Sequence, residues 1–130
     1  MEESLKYFVP EISDIRIGYE CEYRLSGKDW LKLKIEKSDA LFINSFINDL
    51  ENGNLRTPYL TKEQLGAEGW NHFDTVNNQF KKGDYNLIYK FGSRNLQIAD
   101  TNSSYGYQIK FDGECKDINT FRFLVKLLNI

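Results

Sequence analysis

The 130-residue chain predicts an α+β fold in one domain, residues 1–130. The expected architecture is an antiparallel meander sheet of about five to six strands with two or three short helices. Three observations lead there. Apolar and polar residues alternate strictly near the front of the chain. Turn residues recur about every 8–12 positions through the second half, as between consecutive antiparallel strands. The chain ends in a segment with helical apolar spacing, which predicts a C-terminal helix packed on the sheet.

The elements follow in order. Ile15, Ile17, Tyr19, Cys21, Tyr23 and Leu25 alternate with Arg16, Gly18, Glu20, Glu22, Arg24 and Ser26, the pattern of one long half-buried strand. Ser26 to Asp29 supply a turn, and Leu31, Leu33 and Ile35 alternate with Lys32, Lys34 and Glu36 to complete a hairpin. In 38–52, Phe42, Ile43, Phe46, Ile47 and Leu50 fall on one side of a helical wheel, with Ser38 or Asp39 as cap and Gly53 as stop. Asparagine and aromatic residues are mediocre helix formers, so a strand stays open there. The same apolar stripe serves equally well as a homodimer interface.

Residues 57–70, TPYLTKEQLGAEGW, open a helix with care and close it almost at once. Thr61 is a good N-cap and Gln64 sits where a capping box requires it. Leu65 is the inward anchor, Gly69 the left-handed residue past the end, and Trp70 the apolar residue that folds back on the last turn. The expected strands are then 79–82, 85–91, 96–100 and 107–111, with a polar loop, TNSSYG, before the last. Asn119 is placed as the cap of the final helix, whose apolar face is Phe121, Leu124, Val125 and Leu128.

Composition narrows function by exclusion. A net charge of −2 supplies no electrostatic reason for generic nucleic-acid or membrane binding. No apolar run approaches the ~20 residues of a membrane span. The N-terminus, MEESLKYFVPEISD, lacks the basic start and apolar stretch of a signal peptide, so the expected location is the cytoplasm. Cys21 and Cys115 match no zinc spacing and read as buried, reduced thiols.

Chemistry-bearing patterns are sparse. His72 is the only histidine, and Asp74 stands two residues on, so a strand would turn both to one side. A single H-x-D is a common accident, and no glycine-rich phosphate loop or metal-ligand spacing accompanies it. The chain is therefore read as non-enzymatic, with no catalytic residue, metal or cofactor expected. The reading with His72 and Asp74 as an acid–base pair ranks last.

Binding has more to work with. FKKGDYNLIYKFGSR interleaves Phe80, Tyr85, Tyr89 and Phe91 with Lys81, Lys82, Lys90 and Arg94. Aromatic platforms beside cations suit single-stranded nucleic acid or a nucleotide. The same pattern describes an amphipathic strand with lysines guarding an edge, which is the favoured reading. Tyr105 and Tyr107, on a polar tip, are the leading contact residues for a protein partner, because tyrosine and arginine are enriched at binding hot spots.

Three islands of the chain resemble a group of small phage and prophage proteins. DIRIGYE (14–20) resembles an "LRIGN"-type strand through Arg16, Ile17 and Gly18. LTKEQLGAEGW (60–70) resembles a "PIPLTEExLxxxGF"-type segment through Leu60, Thr61, Glu63, Leu65, Gly69 and Trp70. INTFRFLVKLL (118–128) is similar, more loosely, to that group's terminal docking helix through Ile118, Asn119 and Leu124. Tyr19 stands where the group has Asn, and TPY where it has PIP. The shared motifs are architectural, so no catalytic or ligand residue is carried over.

The resemblance implies a bacterial host and an anti-defence role. On that expectation the protein binds and inhibits a host defence protein or its RNA-bound complex, as anti-CRISPR proteins do. The expected contact residues are Tyr105, Tyr107, Lys81, Lys82, Lys90 and Arg94, and direct nucleic-acid binding is not favoured. The alternative is a binder of a small ligand or nucleotide signal.

Overall fold

The computed structural model describes residues 6–25, 28–36, 52–103 and 106–130. The helix-or-strand question over 38–52 therefore falls, except for its last residue, outside the described residues. The chain divides into two compact units, Met1–Tyr59 and Leu60–Ile130. Each carries its own antiparallel sheet, one of four strands and one of five.

This corrects the expected single meander. In the first unit β1 (Tyr7–Phe8), β2 (Glu20–Tyr23), β3 (Leu31–Lys34) and β4 (Leu55–Pro58) form a sheet in the order β1-β4-β2-β3. The expected hairpin is present, with Cys21 opposite Leu33 and Glu22 opposite Lys32. Its open edge is closed by β4 of the same unit, not by a strand of the later meander. β4 left no usable signal, because LRTP gives only one apolar residue and ends on proline.

The long alternating strand is also shorter than expected. Gly18 takes a left-handed backbone (φ 91°) and the Tyr19 amide donates to the Arg16 carbonyl at 3.0 Å, so a turn occupies the start of the alternating run. Ile17 is left 61% exposed and Leu25 66% exposed. Tyr19, Cys21, Ile35 and Leu55 form the small core behind the turn. There the Tyr19 hydroxyl and the Thr57 hydroxyl share a buried hydrogen bond of 2.7 Å.

The second unit starts with α1 (Lys62–Ala67), and its capping box is complete. Gln64 N–H donates to Thr61 Oγ1 and Thr61 N–H donates to Gln64 Oε1, both at 3.1 Å. Gly69 has φ 94° and the Trp70 amide reaches back to the Leu65 carbonyl at 3.1 Å. Trp70 lands in the core with its ring edge-on to Phe121.

From there the meander runs as expected. β5 (Asn71–Asp74), β6 (Gln79–Lys82), β7 (Tyr85–Lys90), β8 (Asn95–Ser103) and β9 (Gly106–Glu114) pair in sequence order. Phe80, Leu87, Tyr89, Leu96 and Ile98 fill the covered face, and α2 (Ile118–Leu128) packs on that core through Phe121, Leu124, Val125 and Leu128. The cap of α2 is Asp117, not Asn119. Asp117 Oδ1 accepts from the Thr120 hydroxyl at 2.6 Å, and its Oδ2 accepts from the Asn119 side-chain amide at 2.7 Å. Asn119 is thus inside the first turn, buried and holding the cap in place.

Candidate functional site

The register of the second sheet decides which candidate residues meet. Asn71, Lys81, Asn86, Ala99 and Ile109 stand in one cross-strand row, and Gln79, Ile88, Gln97 and Asp112 in the next. Side chains alternate along a strand, so both rows lie opposite the face carrying Phe80, Leu87 and Ile98. Tyr107, two residues before Ile109, shares this outer face, and Lys90 does so two residues after Ile88. Tyr107 is 56% exposed and Ile109 51% exposed. Three expected contact residues, Lys81, Lys90 and Tyr107, therefore belong to one surface.

Tyr107 is a strand residue, not part of a loop tip. The expected TNSSYG loop is mostly ladder, because β8 continues to Ser103 and β9 begins at Gly106, where φ is 83°. Tyr105 lies outside the described residues. β9 is the last strand of its sheet, and the register irregularity between Ile98 and Ala99 leaves Lys110 as the extra residue. A lysine on a bulge discourages indiscriminate pairing along a sheet edge.

The other two expected cations stand elsewhere. The Lys82 ammonium donates to the Glu68 carbonyl at 3.1 Å, close to the Trp70 ring, and so finishes the end of α1. Arg94 sits in the β7–β8 turn with a left-handed backbone, φ 63°, and its carbonyl accepts from the Cys115 amide. Phe80 and Tyr89 are wholly buried, so neither offers a platform for a base. The Tyr89 hydroxyl donates to the Cys115 carbonyl at 2.6 Å, and burial raises its pKa.

No hydrogen bond joins His72 to Asp74, although the two interact electrostatically. A bulge between them breaks the alternation on which a shared side depended. The His72 ring stacks on Phe80 with centroids 4.2 Å apart, and its Nε2 is buried without a hydrogen-bond partner. Both Asp74 oxygens are engaged by the following turn, accepting from Val76 N–H, Asn77 N–H and the Asn77 side-chain amide. The Asn77 side-chain bond leads in holding the Asp74 carboxyl below its ordinary value.

The two cysteines are free and buried. Burial pushes both thiols up to about 12, so neither supplies a thiolate at neutral pH. Among the described residues no three His, Cys, Asp or Glu side chains gather as a metal site. No helix there is long and apolar enough to cross a membrane.

One constellation escaped sequence reasoning. On the outer face of the first sheet, the Arg56 guanidinium lies 3.6 Å from the Tyr7 ring centroid and 4.0 Å from that of Trp30. The Arg24 guanidinium lies 4.6 Å from the Trp30 ring. Arg56 Nε also donates to Glu22 Oε1 at 2.8 Å. Four residues scattered along the chain become one column because four strands pair. The hairpin register alone would have placed Arg24 beside Trp30, since Glu22 faces Lys32 two residues earlier on one strand and two later on the other.

Comparison of the chain with protein-family models, with curated proteins and with solved structures gives no match. Any functional reading rests on these two faces and on the three-island resemblance.

Proposed function

We propose that the protein is a non-enzymatic interaction protein that binds and inhibits a host defence protein or its RNA-bound complex. We take it to be phage- or prophage-encoded and to act in the bacterial cytoplasm. The carrying observation is the outer face of the second sheet, where Tyr107 and Ile109 are exposed together on one edge strand, with Lys81 and Lys90 on the same face. An aromatic and an aliphatic side chain with flanking cations is the composition of an interface centre with a polar rim. The anti-defence role itself rests on the resemblance.

The test is capture of the tagged protein's partner from a bacterial lysate with nucleic acid retained, followed by assay of that partner. Expected is one protein or ribonucleoprotein bound near one-to-one and inhibited, with capture lost for Tyr107→Ser/Ile109→Ser and kept for His72→Ala. Capture and inhibition unaffected by the double substitution would refute the assigned surface. A stability gain with a nucleotide, and no macromolecular partner, would favour the small-ligand alternative.

A further inference from the structure

The sequence holds one Asn-Gly step, Asn52–Gly53, and one Asp-Gly step, Asp112–Gly113. Both carry the same latent chemistry. The backbone nitrogen of the glycine can attack the side-chain carbonyl carbon of the residue before it and close a five-membered succinimide. Glycine is the most permissive follower, because no Cβ hinders the approach and its backbone readily takes up the torsions that ring closure requires. The structure treats the two steps differently.

Asn52 and Gly53 form an exposed turn that leads into β4. Gly53 is left-handed, φ 70°, and the space around it is open: a Cβ there would meet no atom within 4 Å. Among the described residues no hydrogen bond engages the Asn52 side chain or the Gly53 amide. Only the next residue, Asn54, is tied to the sheet, through a carbonyl that accepts from the Arg24 amide at 3.0 Å. Asp112–Gly113 lies inside a ladder instead, with Asp112 opposite Gln97 and Gly113 opposite Leu96. Cys115 N–H donates to the Arg94 carbonyl, and hydrogen-bonding direction alternates along a strand, so Gly113 N–H is turned to β8 as well. Asp112 Oδ1 accepts from the Asn95 side-chain amide at 3.0 Å. There both the attacking nitrogen and the group it would attack are held.

We propose that Asn52 is a site of spontaneous covalent modification in the native protein, and that the second sheet protects Asp112 from the same reaction. The Gly53 amide loses its proton to solvent base and its nitrogen bonds to Asn52 Cγ. The bond from Cγ to the side-chain nitrogen breaks, and ammonia leaves. Water then opens the succinimide at either carbonyl, giving an aspartyl or an isoaspartyl link. Either product replaces a neutral amide by a carboxylate, so the net charge of −2 becomes more negative by one. The isoaspartyl product also routes the main chain through the side-chain carbon, which lengthens the turn before β4 by one methylene. The site belongs to the first unit and needs no partner, so the inference is independent of the Tyr107 face.

The test is incubation of the full chain in mildly alkaline buffer, native and urea-unfolded, with peptide mapping by mass spectrometry over time. Aspartyl and isoaspartyl products are told apart by their backbone fragments. Comparing each step with itself in the unfolded chain removes the intrinsic difference between an amide and a carboxylate. Expected is conversion at Asn52 in the native chain at close to its unfolded rate. Isomerisation at Asp112 should be slowed about a hundredfold or more by folding, because β9 must open before Gly113 is released. Asn52→Gln, which would have to close a larger ring, should suppress conversion at that position and leave the Asp112 result unchanged. Native Asn52 left intact, whatever the unfolded chain does, would overturn the proposal. Conversion at another asparagine ahead of Asn52, or isomerisation of Asp112 at the same rate native and unfolded, would do the same.

Discussion

The two sheets solve the same problem with different means. The five-stranded sheet buries Phe80, Tyr89, Leu96 and Ile98 under α1 and α2, and its outer face mixes Ile88 and Ile109 with polar residues. Among the described residues the four-stranded sheet has four buried apolar core side chains and adds polar devices, the Tyr19–Thr57 hydrogen bond inside and the arginine–aromatic column outside. In the described part of the first unit, local order thus draws on specific polar and cation–π contacts, each worth about 1 kcal/mol, as well as on apolar burial.

Substitutions ranked by expected effect can break or sharpen this contrast. Phe121→Ala removes an entirely buried ring that meets Trp70 edge-on, and should cost about 3–5 kcal/mol by denaturant unfolding. A loss under ~1 kcal/mol would mean that α2 contributes little to the second core. In the first unit, Tyr19→Phe should cost about 1–3 kcal/mol by stranding the buried Thr57 hydroxyl. The Tyr19→Phe/Thr57→Val pair should then cost less than the sum of its parts, and strict additivity would show that the bond is not felt.

Asp117→Ala should lose about 1 kcal/mol as the true cap of α2. Asn119→Ala should lose less, because Asn119 bonds to the cap side chain and is not itself the cap. The reverse order would restore the cap expected from sequence.

The thiols add a pH-dependent check. For Cys21 and Cys115 the folded pKa is raised from 9.0 to about 12, so the unfolded chain releases these protons first as pH rises. Their contribution to stability is complete below pH 9 and is lost as pH climbs towards about 12. Neither thiol should react with a thiol reagent in the native state at neutral pH, and rapid labelling would contradict the burial described. The smallest effect is expected at Tyr107→Ser, within about 0.5 kcal/mol, because the side chain is exposed.

These contrasts also show what was readable from sequence. Local chemistry was legible: Thr61 with Gln64 spelled a capping box, Gly69 its stop, and the alternation in β6 to β8 chose the covered face. Non-local choices were not. Gly18 sits in an unbroken alternating run, and nothing in the pattern distinguishes a strand residue from a left-handed turn. Asp117 and Asn119 are both good caps by type, and the choice depends on where the chain leaves β9. The surface residues divide in the same way. Lys81 and Lys90 are legible as the polar side of amphipathic strands, and Arg24 beside Trp30 follows from the hairpin, whereas Tyr7 and Arg56 join that pair only through the pairing of β1 and β4.

The central claim is that the outer face around Tyr107 and Ile109 is where a partner sits. Amide hydrogen exchange of the purified complex against the free protein tests it most directly. The account predicts slowed exchange in β9, centred on Gly106–Glu114, with the effect gone in Tyr107→Ser/Ile109→Ser. Protection confined to other elements, with β9 exchanging as in the free chain, would contradict it.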